Sequence, residues 1–125
     1  MIQELKELYN TFGDARIDRI DYNILVNSNL KIDGKSLTIY VDCLNWRLDE
    51  RQLVKFECRN VTKFRFADGV KIQSSVVFEA LLEQHESHIV LDFFPIQVDG
   101  LGKLEEDPNS TFVVHCKEIS YEVII

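Results

Sequence analysis

The hydrophobic pattern is densest from Leu53 to Phe66, read LVKFECRNVTKFRF. Val54, Phe56 and Cys58 recur at every second position, as do Phe64 and Phe66, with Lys55, Glu57, Lys63 and Arg65 between them. Such alternation is what a strand shows when one face is buried and the other is wetted. Arg59-Asn60 interrupts it, which predicts a strand, a tight connection or bulge and a second strand, or one unbroken bent strand. The cleanest strand is Ser36 to Cys43, where Leu37, Ile39, Val41 and Cys43 share one face and Thr38, Tyr40 and Asp42 the other.

Before these strands, Ile2, Leu5, Leu8 and Tyr9 sit at helical spacing, predicting a short amphipathic helix stopped by Phe12-Gly13. A helix this short is marginal alone, so its stripe must dock on a sheet. Asp14 to Tyr22 reads as a strand whose apolar count is repaired by a bulge at Asp18-Arg19, or by a short helical turn. Asn27-Ser28-Asn29 predicts a turn, Leu30 and Ile32 a stub of strand, and Asp33-Gly34 a hairpin. Asn45 to Arg51 is a polar connection carrying Trp46.

Ser74 or Ser75 is positioned to cap a helix running through about Gln84, since Val77, Phe78, Ala80, Leu81 and Leu82 form a wide apolar stripe with Glu79 and Glu83 outside it. Ile89 to Phe94 is apolar on both sides except at Asp92, as expected of a strand that is central or covered on both faces, and Pro95 ends it. From Gln97 to Ser110 the pattern is lost, predicting an exposed, mobile loop. Thr111 to Cys116 and Ile119 to Val123 alternate again, and the apolar tail to Ile125 is expected to finish tied into the sheet.

Together these elements predict one α+β domain over residues 1–125. Its expected form is a predominantly antiparallel, strongly curved β-sheet wrapping a short N-terminal helix and one internal helix, ahead of a sandwich of two sheets. A single chain of 125 residues is long enough to bury a core without metal or disulfide staples. Its 5 glycines and 2 prolines leave no room for a long flexible linker.

Charge narrows the partners. With 21 acidic and 14 basic side chains the formal charge is -7, and no basic cluster stands out, so nucleic acid and anionic membranes are not expected partners. A protein with a basic surface is. Cys43, Cys58 and Cys116 all fall on apolar alternations, predicting buried free thiols and a reducing, cytoplasmic setting. The opening MIQELKELYNTF lacks the apolar run of a signal peptide, and no stretch approaches a membrane span.

Candidate chemistry is sparse. His85 and His88 share a face only if they lie on a helix, and no third spaced ligand accompanies them, so no metal is expected. His115 lies on a strand, where neighbouring Val114 and Cys116 point away from it. Asp92, in its apolar run, is either a catalytic or ligand-contacting carboxylate or one that is exposed on the outer face or salt-bridged. No phosphate-binding glycine motif, nucleophile elbow or calcium loop is present, and neither catalytic residue nor cofactor is assigned. Binding is better supported. Trp46 and Tyr40 are residue types that anchor interfaces, with Trp46 equally placed to lid the core edge, and Glu105, Glu106 and Asp107 form an acidic loop that either meets a basic surface or is simply solvated.

The order of a short N-terminal helix, GDARIDRIDY, SLTIYVDCLNW, VKFECRNVTKFRF and STFVVHCKEISYEVI resembles small bacterial proteins of the presumed toxin-immunity type. That resemblance implies an acidic, non-catalytic cytoplasmic protein that plugs a toxin domain. The alternatives are a small enzyme or ligand-binding domain with an apolar pocket in its curved sheet, lined by Asp92 or His115 with Tyr22, Tyr40 or Tyr121, and an accessory domain that self-associates as a homodimer through a strand edge.

Overall fold

The computed structural model describes residues 2–67, 76–77, 79–98 and 103–125. The chain opens with helix α1, Ile2–Tyr9, whose buried stripe is Leu5 and Tyr9. It stops earlier than Phe12-Gly13. Asn10 takes a left-handed backbone (φ 55°) while its N–H still bonds the Lys6 carbonyl at 2.8 Å. Asparagine tolerates that conformation at a helix end better than most residues. Phe12 and Asp14 are also left-handed, at φ 57° and 62°, and this tight corner drives the Phe12 ring into the core against Tyr9 and Phe56.

Three long strands follow, β1 (Ala15–Val26), β2 (Ile32–Asn45) and β3 (Glu50–Arg59), paired antiparallel in chain order. Pairing of β1 with β2 slips between Ile17 and Arg19, which is the bulge predicted there. The β1–β2 turn is made by Asn27, whose side-chain oxygen accepts the N–H groups of Asn29 and Lys31 at 2.9 and 3.2 Å. Asp33-Gly34 is not the turn. It lies inside β2, with Gly34 opposite Leu25.

At Asn60 (φ 54°) the chain leaves the first sheet, so the two halves of the Leu53–Phe66 stretch belong to different sheets. The remaining strands are β4 (Lys63–Phe66), β5 (Val76–Val77), β6 (Leu81–Gln84), β7 (Ile89–Asp92), β8 (Ile96–Val98), β9 (Lys103–Glu105), β10 (Phe112–Cys116) and β11 (Glu118–Val123). They assemble a five-stranded sheet ordered β11-β3-β2-β1-β5, a four-stranded sheet ordered β4-β10-β7-β6, and a β8-β9 ribbon. Every described strand pair is antiparallel.

Two expectations are corrected here. The strongly curved sheet is replaced by separate sheets that are not curved, whose inner faces share one core of Leu37, Ile39, Val41, Val54 and Phe56 against Leu82, Leu91, Phe112 and Val114. The internal helix is absent among the described residues, and α1 is the single helix there. Leu81–Gln84 is a strand, and the Ala80 N–H bonds Thr11 in the corner after α1 instead of a residue one helical turn back. The rest of that predicted helix, residues 74–75 and 78, lies outside the described residues. Among the described residues no helix is long and apolar enough to cross a membrane.

The core is filled. Its void between Phe12, Phe56, Leu82, Leu91, Phe93 and Ile119 measures about 10 Å³, roughly the least that holds one water. β7 is buried along its whole length, as the two-sided apolar run required. The C-terminal tail is tied down by an Ile124 N–H bond to Leu53 at 2.8 Å.

Candidate functional site

Alternation along the strands fixes which side chains can meet. In β2 the core side is Leu37, Ile39, Val41 and Cys43, so Tyr40 stands on the outer face of the five-stranded sheet. There the Arg19 guanidinium lies 5.6 Å over its ring. In β10 the core side is Phe112, Val114 and Cys116, so Val113 and His115 face outward from the four-stranded sheet, in register with Asp92 and Val90 of β7. Tyr40 and the 105–107 acids, which lie over this second outer face, are therefore on opposite sides of the core.

The segment from β9 to β10 is pinned to that outer face instead of hanging free. Asp92 is fully buried, and its carboxylate accepts the N–H groups of Phe94 and Asp107, both at 2.9 Å, and the Ser110 hydroxyl. Asp107 in turn accepts the Asn109 N–H at 2.8 Å. Glu106 receives His115 Nε2 at 2.8 Å and Lys63 Nζ at 3.6 Å on one carboxylate oxygen. Burial pushes the Glu106 carboxyl up, but the His115 hydrogen bond and the charges of His115 and Lys63 outweigh it, holding the group below its ordinary value. Glu105 alone of the three is exposed without such a partner among the described contacts.

All three histidines gather on this face. The His85 and His88 rings stack at 5.0 Å, and those of His88 and His115 at 4.8 Å. Stacked rings present faces to one another and their nitrogens do not converge. Among the described residues no group of three or more His, Cys, Asp or Glu is arranged to hold a metal ion.

The thiols are withdrawn from chemistry. Cys43, Cys58 and Cys116 are free and buried, and burial, the largest influence on Cys43, pushes its thiol up to about 12. A hydrogen bond between Cys58 and Cys116 raises the Cys58 thiol, with burial adding to it, and lowers Cys116.

Trp46 occupies a different place. It lies in the β2–β3 turn, 55% exposed, with its N–H bonded to the Leu8 carbonyl at 2.8 Å. The turn is held by Asn45, whose buried side-chain oxygen accepts the N–H groups of Arg47 and Leu48, both at 3.0 Å. Asn45 and the Tyr9 hydroxyl both donate to Gln52, binding turn, helix and β3 together. Leu48, Ile124 and Ile125 are exposed at the same end of the sheet, and Glu7, Asp49 and Glu50 surround the turn with Arg47, which pairs with Glu7.

Exposed aliphatic side chains also crowd the other end of this sheet, at Ile24, Leu25, Val26, Leu30 and Ile32, with Lys31 and Lys35 beside them. A third feature is an open groove of about 430 Å³ lined by Ile2, Arg59, Gln84, Ile89, Glu118 and Ile119. Arg59 is already committed there to Glu118 and Ser120, each at 3.0 Å.

The partners of Asp92 and His115 are not legible from the hydrophobic pattern. Asp107-Pro-Asn-Ser is the one local signal for the clamp on Asp92, because such runs turn by bonding their own backbone. No family model matches the chain, and no curated protein or solved structure is similar to it. The fold and its sites define the class: a layered, antiparallel α+β domain with an aromatic presented on a braced turn.

Proposed function

We propose that the protein is a non-catalytic binding module that docks on another protein through the Trp46 end of its five-stranded sheet. The observation that carries the reading is the exposed indole on a turn fixed by Asn45. A large aromatic with few rotatable bonds, carried on a backbone already fixed, loses little conformational freedom on binding, which is what an interface anchor requires. Leu48 and the exposed tail residues extend the apolar surface, and Glu7, Asp49 and Glu50 give its rim an acidic character. The partner is thus a protein with a basic surface, and a toxin domain neutralised in the cytoplasm is the case the sequence resemblance implies. The net charge of -7 would hasten encounter with such a partner. The aliphatic group at the opposite end, flanked by lysines, has the wrong sign for that role. The acids at 106 and 107 contribute less than the sequence suggests, because each already has partners in its own fold.

Affinity capture from source cells, followed by titration of the purified partner at two salt concentrations, tests this. Trp46→Ala should weaken the complex roughly thirtyfold, the effect of losing about 2 kcal/mol at an anchor. Reversing Asp49 and Glu50 to lysine should slow association and flatten its salt dependence. A complex indifferent to both changes refutes the reading.

A further inference from the structure

The three stacked imidazoles differ in what surrounds them. His115 has the Glu106 carboxylate at 2.8 Å, and His85 has Glu83 at 3.2 Å. Among the described residues the middle ring, His88, has no carboxylate of its own: its partner is the Ser87 hydroxyl, 3.0 Å from Nδ1. Each outer ring thus has a carboxylate beside it, whereas the middle ring lies between two imidazoles.

The same ring belongs to a small, separately held turn. His85 donates its N–H to the His88 carbonyl at 2.8 Å, Gln84 Nε2 donates to the His85 carbonyl at 2.8 Å, and Lys117 Nζ reaches the Ser87 carbonyl at 2.9 Å. The turn joins β6 to β7 but lies beyond the register of either strand with its neighbours. Loss of these few exposed bonds leaves the sheets intact.

We propose that His88 is the trigger of a proton-operated turn: proton uptake at this ring breaks the histidine stack and releases residues 85–88 from the outer face of the four-stranded sheet while both sheets stay paired. The charged and titratable groups acting on the ring are His85 of its own turn, His115 of β10 with Lys117 just after it, and Glu106 after β9, with Glu83 of β6 paired to His85 and Lys63 of β4 paired to Glu106 one step further out. On the β10 side the ring meets His115 and Lys117, and the carboxylate there is already shared by His115 and Lys63.

The titration of the group agrees with the geometry. Burial, then the charges of His115, His85 and Lys117, hold His88 below the ordinary histidine value, and Glu106 only partly opposes them. The stacked turn therefore binds fewer protons than the released one between the lowered value and about 6.5. Its stability is complete above about pH 6.5 and is lost as the pH falls through that lower range. Glu106, held below its own ordinary value, remains ionised through this range and keeps His115 and the 105–110 segment in place. Release is confined to the turn.

The test is nuclear magnetic resonance of the full chain from about pH 8 to about pH 5, following imidazole titration and amide exchange together. Corrected for the intrinsic pH dependence of exchange, residues 85–88 should lose protection progressively as His88 titrates. Amides of β7 and β10 should keep theirs. In His88→Gln that acid-dependent loss should disappear. Should this variant leave the turn open at all pH values, His85→Gln decides instead: with one flanking imidazole gone, the His88 midpoint and the opening should move together to higher pH. A His88 that titrates without any change in turn protection, opening on an unaltered profile in His88→Gln, or an unmoved midpoint in His85→Gln would each overturn the proposal.

Discussion

Removing the carboxylate of Asp92 is the most informative single perturbation, because it separates a structural clamp from a catalytic group in waiting. Asp92 is fully buried and accepts three hydrogen bonds, from the Phe94 and Asp107 N–H groups and the Ser110 hydroxyl. In Asp92→Ala the Ser110 hydroxyl still has the Phe112 carbonyl at 3.2 Å, so two backbone donors bear the loss. An orphaned buried donor costs about 1–3 kcal/mol, and both lie in partly buried surroundings, so the total is about 3 kcal/mol. Asp92→Asn keeps one acceptor oxygen but turns an amide donor toward one of these N–H groups, for about 1.5 kcal/mol. Urea unfolding measures both. With a slope of about 2 kcal/mol/M, the midpoint should fall by about 1.5 M for alanine and about 0.8 M for asparagine. A domain with a stability of order 5–15 kcal/mol survives either change, so both variants remain folded and measurable. Midpoints for both variants within about 0.3 M of the parent would refute the clamp. A rise in stability would point the other way, since a carboxylate retained for chemistry at the expense of the fold stabilises the protein when removed.

Two further outcomes follow from local geometry. Leu30 holds a left-handed backbone (φ 60°) and is 87% exposed, so Leu30→Gly should relieve strain without loss of packing and raise stability by about 1 kcal/mol, or roughly 4 °C in melting temperature; an unchanged or lower melting point would contradict it. The folded protein should present no fast-reacting thiol at about pH 8, because all three cysteines are buried and Cys43 is pushed up to about 12, whereas all three should react at once in urea; a thiol labelled rapidly under native conditions would show that the core opens.

Period-two alternation made most strands legible, and a miscount in that alternation located the bulge at Asp18-Arg19. What it cannot carry is which sheet a strand joins. Val54, Phe56 and Cys58 face the same core as Phe64, yet Asn60 sends the two segments to opposite layers, and that choice is made by distant pairing with β2 and β10. The misplaced hairpin has a local cause. Asn27 closes its turn with its own side chain, whereas Gly34 keeps room for a Cβ no closer than 3.8 Å to Leu25, so nothing there demands glycine. The false helix arose because Leu81-Leu82, half-buried and buried, form a strand apolar on both sides, which periodicity does not distinguish from a wide helical stripe.

The same reasoning explains the candidate sites. Alternation set His115 on the face opposite Phe112, Val114 and Cys116, whereas Asp92, expected exposed or salt-bridged, is fully buried; the partners of both, Glu106 and Asp107, lie in a segment without a hydrophobic period. Such a segment is placed by short backbone pairing and by polar side chains, so its position is invisible to any pattern of apolar residues. The polar residues that interrupt apolar patterns are nevertheless where those anchors are found. Asp92 within IVLDFF pins the 107–110 turn, and Asn45 at the end of the β2 core face braces Trp46. A buried polar group is costly unless satisfied. Its appearance on a core-facing or two-sided strand therefore implies donors from an adjoining or distant loop, and in this fold those donors are backbone N–H groups joined, at Asp92, by the Ser110 hydroxyl.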